Sequence, residues 1–119
     1  MRNFRKLEVW NEARLLVKEI YLITSKLPLE EKFGLTSQIN RCSISIAANI
    51  AEGSAKDSQK DFIRFLQISL GSAYELESHL ILCGDLNFLS EKELNITIKK
   101  LQVLQRRISA LKKYNQSKL

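Results

Sequence analysis

The stretch SQKDFIRFLQISLGSAYELESHLILCG, residues 58–84, decides the fold class of this chain. Its small and apolar side chains recur at alternating spacings of four and three, the period of one helix face: Phe62, Leu66, Ser69, Ala73, Leu76, Leu80 and Cys83. A second stripe lies on another face and consists of Ile63, Leu70, Tyr74 and Ile81. A helix that is apolar on two faces must be covered on both. We therefore expect neighbouring helices on one face and another subunit as a candidate cover for the other.

Two further helices are predicted before this stretch. Residues 5–27 form an apolar stripe that ends before Pro28, because a residue preceding proline is displaced from the helical region. Residues 36–53 form a second amphipathic helix, and Gly53 is placed to cap it in a left-handed conformation. The expected core positions are Trp10, Ala13, Leu16, Val17, Ile20, Ile23, Thr24 and Leu27 in the first helix, and Ile39, Cys42, Ile46 and Ile50 in the second.

One more helix is predicted after it. Gly84 is expected to end the helix over residues 58–84, and Ser90 with Glu93 forms a full S-x-x-E capping box that opens a helix over residues 90–115. The buried stripe of this last helix is Leu94, Ile98, Leu101, Leu104, Ile108 and Leu111. Short connections force antiparallel neighbours. The sequence thus predicts an all-α fold, an antiparallel up-down-up-down four-helix bundle, as one domain over residues 1–119.

The composition is that of a globular protein, with 45% hydrophobic and 27% charged residues among 119 positions. No apolar run approaches the roughly 18 residues needed to span a bilayer. The basic N-terminus meets Glu8 and Glu12 before any apolar core, so it does not resemble a secretory signal. Cys42 and Cys83 lie outside any CxxC or CxxH pattern, which favours buried free thiols. These features predict a cytoplasmic protein without membrane contact.

Several separate runs of the sequence resemble one known family. They are residues 7–10 (LEVW), 31–39 (EKFGLTSQI), 45–54 (SIAANIAEGS), 62–66 (FIRFL) and 71–77 (GSAYELE). In order and spacing they are similar to the bacterial four-helix bundle proteins first recognised as open reading frames in intervening sequences of 23S ribosomal RNA genes. The resemblance implies a homopentameric ring of bundles. It also implies a distant relation to accessory proteins of diversity-generating retroelements, which are basic pentamers that bind nucleic acid. Many family members have proline where this chain has Ala47.

The excess positive charge belongs to the last predicted helix. The formal net charge is +6, and residues 94–119 hold seven basic side chains and no acidic one. At 100° per residue the basic side chains fall into two parallel rows, Lys99, Arg106 and Lys113 in one and Lys100 and Arg107 in the other. Members of a row are about 10.5 Å apart, which can follow a phosphate backbone. The pattern is typical of a nonspecific RNA- or DNA-binding surface, or of a solvated face that suits the negative end of the helix dipole.

Two other rows are candidates for contacts. A polar row on the second predicted helix, again at spacings of three and four, consists of Gln38, Arg41, Ser45, Asn49 and Glu52. It is either a ligand-contacting surface or a set of hydrogen bonds within or between subunits, for instance between Arg41 and Glu75 of the third helix. We favour the structural interpretation, because buried polar groups need partners. An apolar row on the last helix, Ile96, Val103 and Ala110, predicts either a subunit contact or ordinary exposed side chains.

The usual catalytic signatures are missing from the sequence. A di-iron bundle needs a Glu-x-x-His pair on each of two helices, and the one histidine is His79, with Glu75 four residues before it. There is no Gly-rich phosphate loop and no G-x-S-x-G nucleophile turn. We predict a protein without catalytic residues, metal or cofactor, a homo-oligomeric scaffold that binds RNA or DNA through its last helix. The alternative is a protein-interaction adaptor with no nucleic-acid role.

Overall fold

Four long helices make up the fold in a computed structural model that describes residues 2–119. They are α1 (Glu8–Thr24), α2 (Leu35–Ser54), α3 (Gln59–Asp85) and α4 (Glu91–Gln116), with short 3-10 turns at Phe4–Lys6 and Leu29–Glu31. Within residues 2–119 there is no strand. The predicted all-α fold is confirmed.

The helices pack in the order of a four-helix bundle. Each helix contacts its neighbours in sequence, and α1 also contacts α4, which closes the bundle. The molecule measures 46 × 23 × 19 Å, close to the length of about 40 Å expected for a helix the size of α3. One hydrophobic core draws side chains from all four helices. In residues 2–119 no helix combines the length and the apolar character that a membrane crossing requires.

The core positions predicted for α2 and α3 are confirmed, and those of α1 and α4 need small corrections. All four expected residues of α2 and all seven of α3 are buried. Trp10, Val17, Ile98 and Leu111 are only half-buried, because they lie at the margins of their stripes. Val9, which the predicted stripe omitted, is buried in their place. Cys42 and Cys83 are buried free thiols, as predicted.

The ends of α1 differ from the prediction of residues 5–27. The N-terminal side begins with the 3-10 turn capped by Asn3, whose side chain accepts from the Arg5 amide, so α1 starts only at Glu8. At the other end α1 stops at Thr24. The amide of Lys26 donates to Ile23 (3.0 Å) and that of Leu27 to Thr24 (3.1 Å). Because of these tight turns the helix ends several residues before Pro28, so the proline is not what terminates it. The side chain of Leu27 is nevertheless buried in the core.

The predicted roles of Gly53 and Gly84 as helix ends are wrong. Gly53 lies inside α2, which ends at Ser54, and Gly84 lies inside α3, which ends at Asp85. The left-handed backbone conformation after α3 belongs instead to Asn87, with φ 61°. What Gly53 provides is space, because a Cβ there would lie 2.6 Å from the Cβ of Phe65 on α3. Close packing of α2 against α3 therefore explains this glycine.

Two glycine-to-alanine substitutions should change stability in opposite directions. We expect Gly53→Ala to lower the free energy of unfolding by about 1–3 kcal/mol, because the added methyl group overpacks the contact with Phe65. Gly71 has open space around its Cα, and Gly71→Ala should raise that free energy by about 0.5–1 kcal/mol through helix propensity alone. Urea denaturation of both variants checks the pair. Equal effects would contradict the close approach of α2 and α3.

Candidate nucleic-acid interface

The start and inner face of α4 determine where its basic side chains point. Ser90 caps the helix, since its hydroxyl oxygen accepts from the amide of Glu93 at 3.2 Å. The inward stripe of α4 is Leu94, Thr97, Leu101, Leu104 and Ile108, all buried. With that stripe in the core, Lys99, Arg106 and Lys113 lie on the opposite face and are exposed.

The row of Lys100 and Arg107 is tied to α1. Lys100 Nζ donates to both carboxylate oxygens of Glu19, at 3.3 and 3.2 Å. Arg107 donates to the carboxylates of Glu12 and, at 3.5 Å, Glu8. These ion pairs join α1 to α4 and neutralise much of the charge of this row. Being partly exposed, each pair contributes little to stability.

The row of Lys99, Arg106 and Lys113, here called the outer basic row, forms no ion pair with any residue of the described range 2–119. Its charge is therefore available to a partner. All five predicted basic residues are exposed, and the structure separates them into two that form ion pairs with α1 carboxylates and three that form none within residues 2–119.

An aromatic side chain stands beside the outer basic row. Tyr74 of α3 is 58% exposed and lines the same shallow groove between α3 and α4 as Arg106 and Lys113, together with Gln102, Gln105, Ser109 and Ala110. The sequence placed Tyr74 in an apolar stripe of the third helix and did not predict that it lies beside Arg106. Its position at the edge of that stripe suggested exposure, but only the register of α3 against α4 places it next to Arg106.

The apolar row of α4 also faces outward. Ile96 is 50% exposed and Val103 38% exposed. Val103 lines a second groove, between α1 and α4, with Leu15, which is 63% exposed. The ion pairs of Lys100 and Arg107 with α1 flank this groove. This apolar surface bordered by charged side chains is a candidate for the predicted subunit contact.

The polar row on α2 is only partly engaged within the chain. The hydroxyl groups of Ser45 and Ser72 of α3 share a hydrogen bond of 2.8 Å, and the Asn49 amide donates to Ser45. Gln38, Arg41 and Glu52 are exposed. No hydrogen bond or ion pair joins Arg41 to Glu75 within residues 2–119, where Glu75 contacts Cys42 and His79. Arg41 nevertheless lines the same groove as Glu75, and after Cys42 and His79 its charge helps to lower the pKa of that carboxyl.

Comparison with known proteins gives the family. A family model described as 23S rRNA-intervening sequence protein matches residues 5–110. The chain belongs to this family. The match includes α1–α3 and most of α4, so the outer basic row as far as Arg106 lies within the family region. The resemblance predicted from the sequence is confirmed.

One solved structure shows the same fold as this member of the 23S rRNA-intervening sequence protein family. It is a protein of unknown function from the S23 ribosomal protein family of Bacteroides thetaiotaomicron, at a TM-score of 0.82 and 24% identity. The alignment covers 88% of this chain and 98% of that chain. At this identity the likeness establishes the bundle and nothing about binding. No curated protein matches the sequence.

Proposed function

We propose that this protein is a non-enzymatic, self-associating scaffold that binds RNA or DNA without sequence preference through the outer basic row. The observation that carries the proposal is the pairing pattern on α4. Two basic residues are held by α1 carboxylates, whereas Lys99, Arg106 and Lys113 are exposed and have no ion-pair partner among residues 2–119.

Spacing and neighbourhood support this interpretation. Positions seven residues apart on a helix lie about 10.5 Å from one another, so one strand of nucleic acid can meet several of them in turn. Tyr74 adds an exposed ring to the groove next to Arg106. Proteins that bind single strands combine a basic groove with aromatic side chains on which bases stack. Neither feature reads base edges, which accounts for the absence of sequence preference in the proposal.

Self-association is the second part of the proposal. Large apolar side chains of α1, α3 and α4 are exposed on the bundle, among them Leu15, Leu22, Ile81 and Ile96. Leu15 and Leu22 lie seven residues apart on one face of α1. Exposed apolar side chains of this kind favour burial against a second copy. A pentameric ring is the assembly implied by the family resemblance, and it would repeat the outer basic row around the ring.

Fluorescence anisotropy with two single-stranded RNAs of unrelated sequence tests the binding. We expect similar affinities for both RNAs, and an affinity that falls with salt with a slope of about −2 in log–log form if three phosphates are contacted per chain. Binding that is absent at low salt, or insensitive to salt, would contradict the proposal. It would favour the alternative of a protein-interaction adaptor.

Removing the ring of Tyr74 should weaken single-strand binding selectively. We expect Tyr74→Ala to weaken single-stranded RNA binding by about 10-fold, because base stacking on an aromatic ring contributes roughly 1–3 kcal/mol. Tyr74→Phe keeps the ring and should bind like the unaltered protein. Duplex DNA offers no free base faces, so its affinity should be the same for all three proteins. Equal losses for both nucleic acids would show that Tyr74 acts through the fold instead.

A further inference from the structure

The α2–α3 face, away from α4, holds a cluster of three potential metal ligands. Cys42 of α2 and Glu75 and His79 of α3 each bring one donor atom, and the three atoms lie within 4.8 Å of one another. Nε2 of His79 is 3.2 Å from Oε2 of Glu75. As metal ligands, Glu75 and His79 were predicted from the sequence only in connection with a di-iron centre. The thiol of Cys42 comes from another helix, so the spacing of residues along α3 does not reveal it.

The spacing of these atoms is close to that of a bound zinc ion. Zinc binds sulfur at about 2.3 Å and nitrogen or oxygen at about 2.0 Å, which places tetrahedral ligands roughly 3.3–3.8 Å apart. The separation of the His79 and Glu75 atoms already nearly meets this requirement, and a shift of about 1 Å would complete the set. A helical spacing of four residues puts Glu75 and His79 on the same face.

We propose that Cys42, Glu75 and His79 form a binding site for one divalent zinc-like cation per chain. Thiolate, carboxylate and imidazole are the ligand types that zinc accepts together. The thiolate and the carboxylate together balance the two positive charges of the ion, and the nearby guanidinium of Arg41 remains as a separate positive charge. This inference is independent of the proposed nucleic-acid binding.

The surroundings suit an open site with three protein ligands. Cys42 is buried, whereas the carboxylate of Glu75 is 54% exposed, so an ion can enter from solvent. Gln38, Arg41, Ser45 and Ser72 line a polar groove that includes Cys42 and Glu75, and water there can supply the fourth ligand. Nδ1 of His79 is buried and makes no hydrogen bond within residues 2–119.

The thiol of Cys42 is protonated when no metal ion is bound. Burial, followed by the hydrogen bond and charge of Glu75, raises the pKa of Cys42 to about 12. Interaction with Cys42 and then His79 lowers the pKa of Glu75. Binding must therefore release the thiol proton to solvent, as zinc binding to cysteine generally does.

Titration of the purified, tag-free protein with Co²⁺ and then Zn²⁺ tests the site. We expect one Co²⁺ per chain with a sulfur-to-cobalt charge-transfer absorption, and its loss when Zn²⁺ displaces the cobalt. Cys42→Ser should abolish this absorption. Glu75→Gln and His79→Gln should weaken Zn²⁺ binding at least 10-fold. Cys83→Ser, which alters the second buried thiol, is the matched control and should bind like the unaltered protein.

Two results would overturn the proposal. One is the absence of stoichiometric binding to the unaltered chain, and the other is a charge-transfer absorption that depends on Cys83 or survives in Cys42→Ser. Because a buried thiol is altered in Cys42→Ser, circular dichroism should accompany each titration. Glu75→Gln changes only an exposed side chain and keeps the test decisive if Cys42→Ser does not fold.

Discussion

Replacing Lys99, Arg106 and Lys113 together with alanine should weaken binding to single-stranded RNA by about 100-fold at 0.1 M salt. The size of this loss follows from counterion release. Each phosphate contact raises the affinity for a single strand by roughly 0.7 log units at 0.1 M salt relative to 1 M salt, so the loss of three contacts lowers it by about 2 log units. The salt slope of the variant should also fall by about 2. All three side chains are exposed, so circular dichroism and urea stability should not change. Anisotropy titrations over a range of salt concentrations check both numbers.

A matched variant separates a local site from a general charge effect. Lys18, Lys60 and Lys92 are exposed and form no ion pair with a described residue. Changing these three to alanine removes the same charge from other parts of the surface. We expect a loss of less than about 5-fold, because distant exposed charges are screened by salt. Equal losses in the two triple variants would assign binding to net charge and not to the outer basic row.

The double substitution Ile96→Glu with Val103→Glu should convert the assembly into monomers. Both side chains are exposed on the bundle, so a single chain can hold glutamates there with little strain. In a subunit contact each carboxylate would be buried without a partner, which should weaken self-association by at least about 100-fold. Light scattering at micromolar concentration measures the change in mass.

Gln67→Glu with Gln116→Glu is the control for this prediction. It adds the same two negative charges at exposed polar positions, and Gln67 already accepts from Lys112 at 2.5 Å. We expect its assembly state to match that of the unaltered protein. Dissociation of the control to the same extent would point to general charge repulsion, and an intact assembly in the Ile96 and Val103 variant would place the contact elsewhere.

The elements of the fold were predictable because local signals agreed with the tertiary contacts. The apolar period of α3 corresponds to a fully buried face, and the hydroxyl oxygen of Ser90 accepts from the Glu93 amide, as the capping box predicts. The role of Gly53 was the exception to this agreement. The sequence pattern could not show whether this glycine caps a helix or makes room for Phe65, since that depends on how closely α2 and α3 approach.

The candidate sites were less predictable than the fold, because they combine residues from different helices. The two basic rows could be predicted from the periodicity of α4 alone. The ion pairs of Lys100 with Glu19 and of Arg107 with Glu12 could not, because they join α4 to α1. The same limit applies to Tyr74 beside Arg106. A side chain's neighbours across a helix contact depend on register, and periodicity within one helix does not specify the register between two.

Light scattering of the nuclease-treated protein after size-exclusion chromatography tests the central claim most directly, namely that one bundle leaves apolar surface for further copies to cover. The chain mass is 13.7 kDa. We predict a stable assembly of about five chains, the number that the family resemblance implies, and we expect it to persist at high salt because the contact is apolar. A 13.7 kDa monomer throughout the micromolar range would contradict the account.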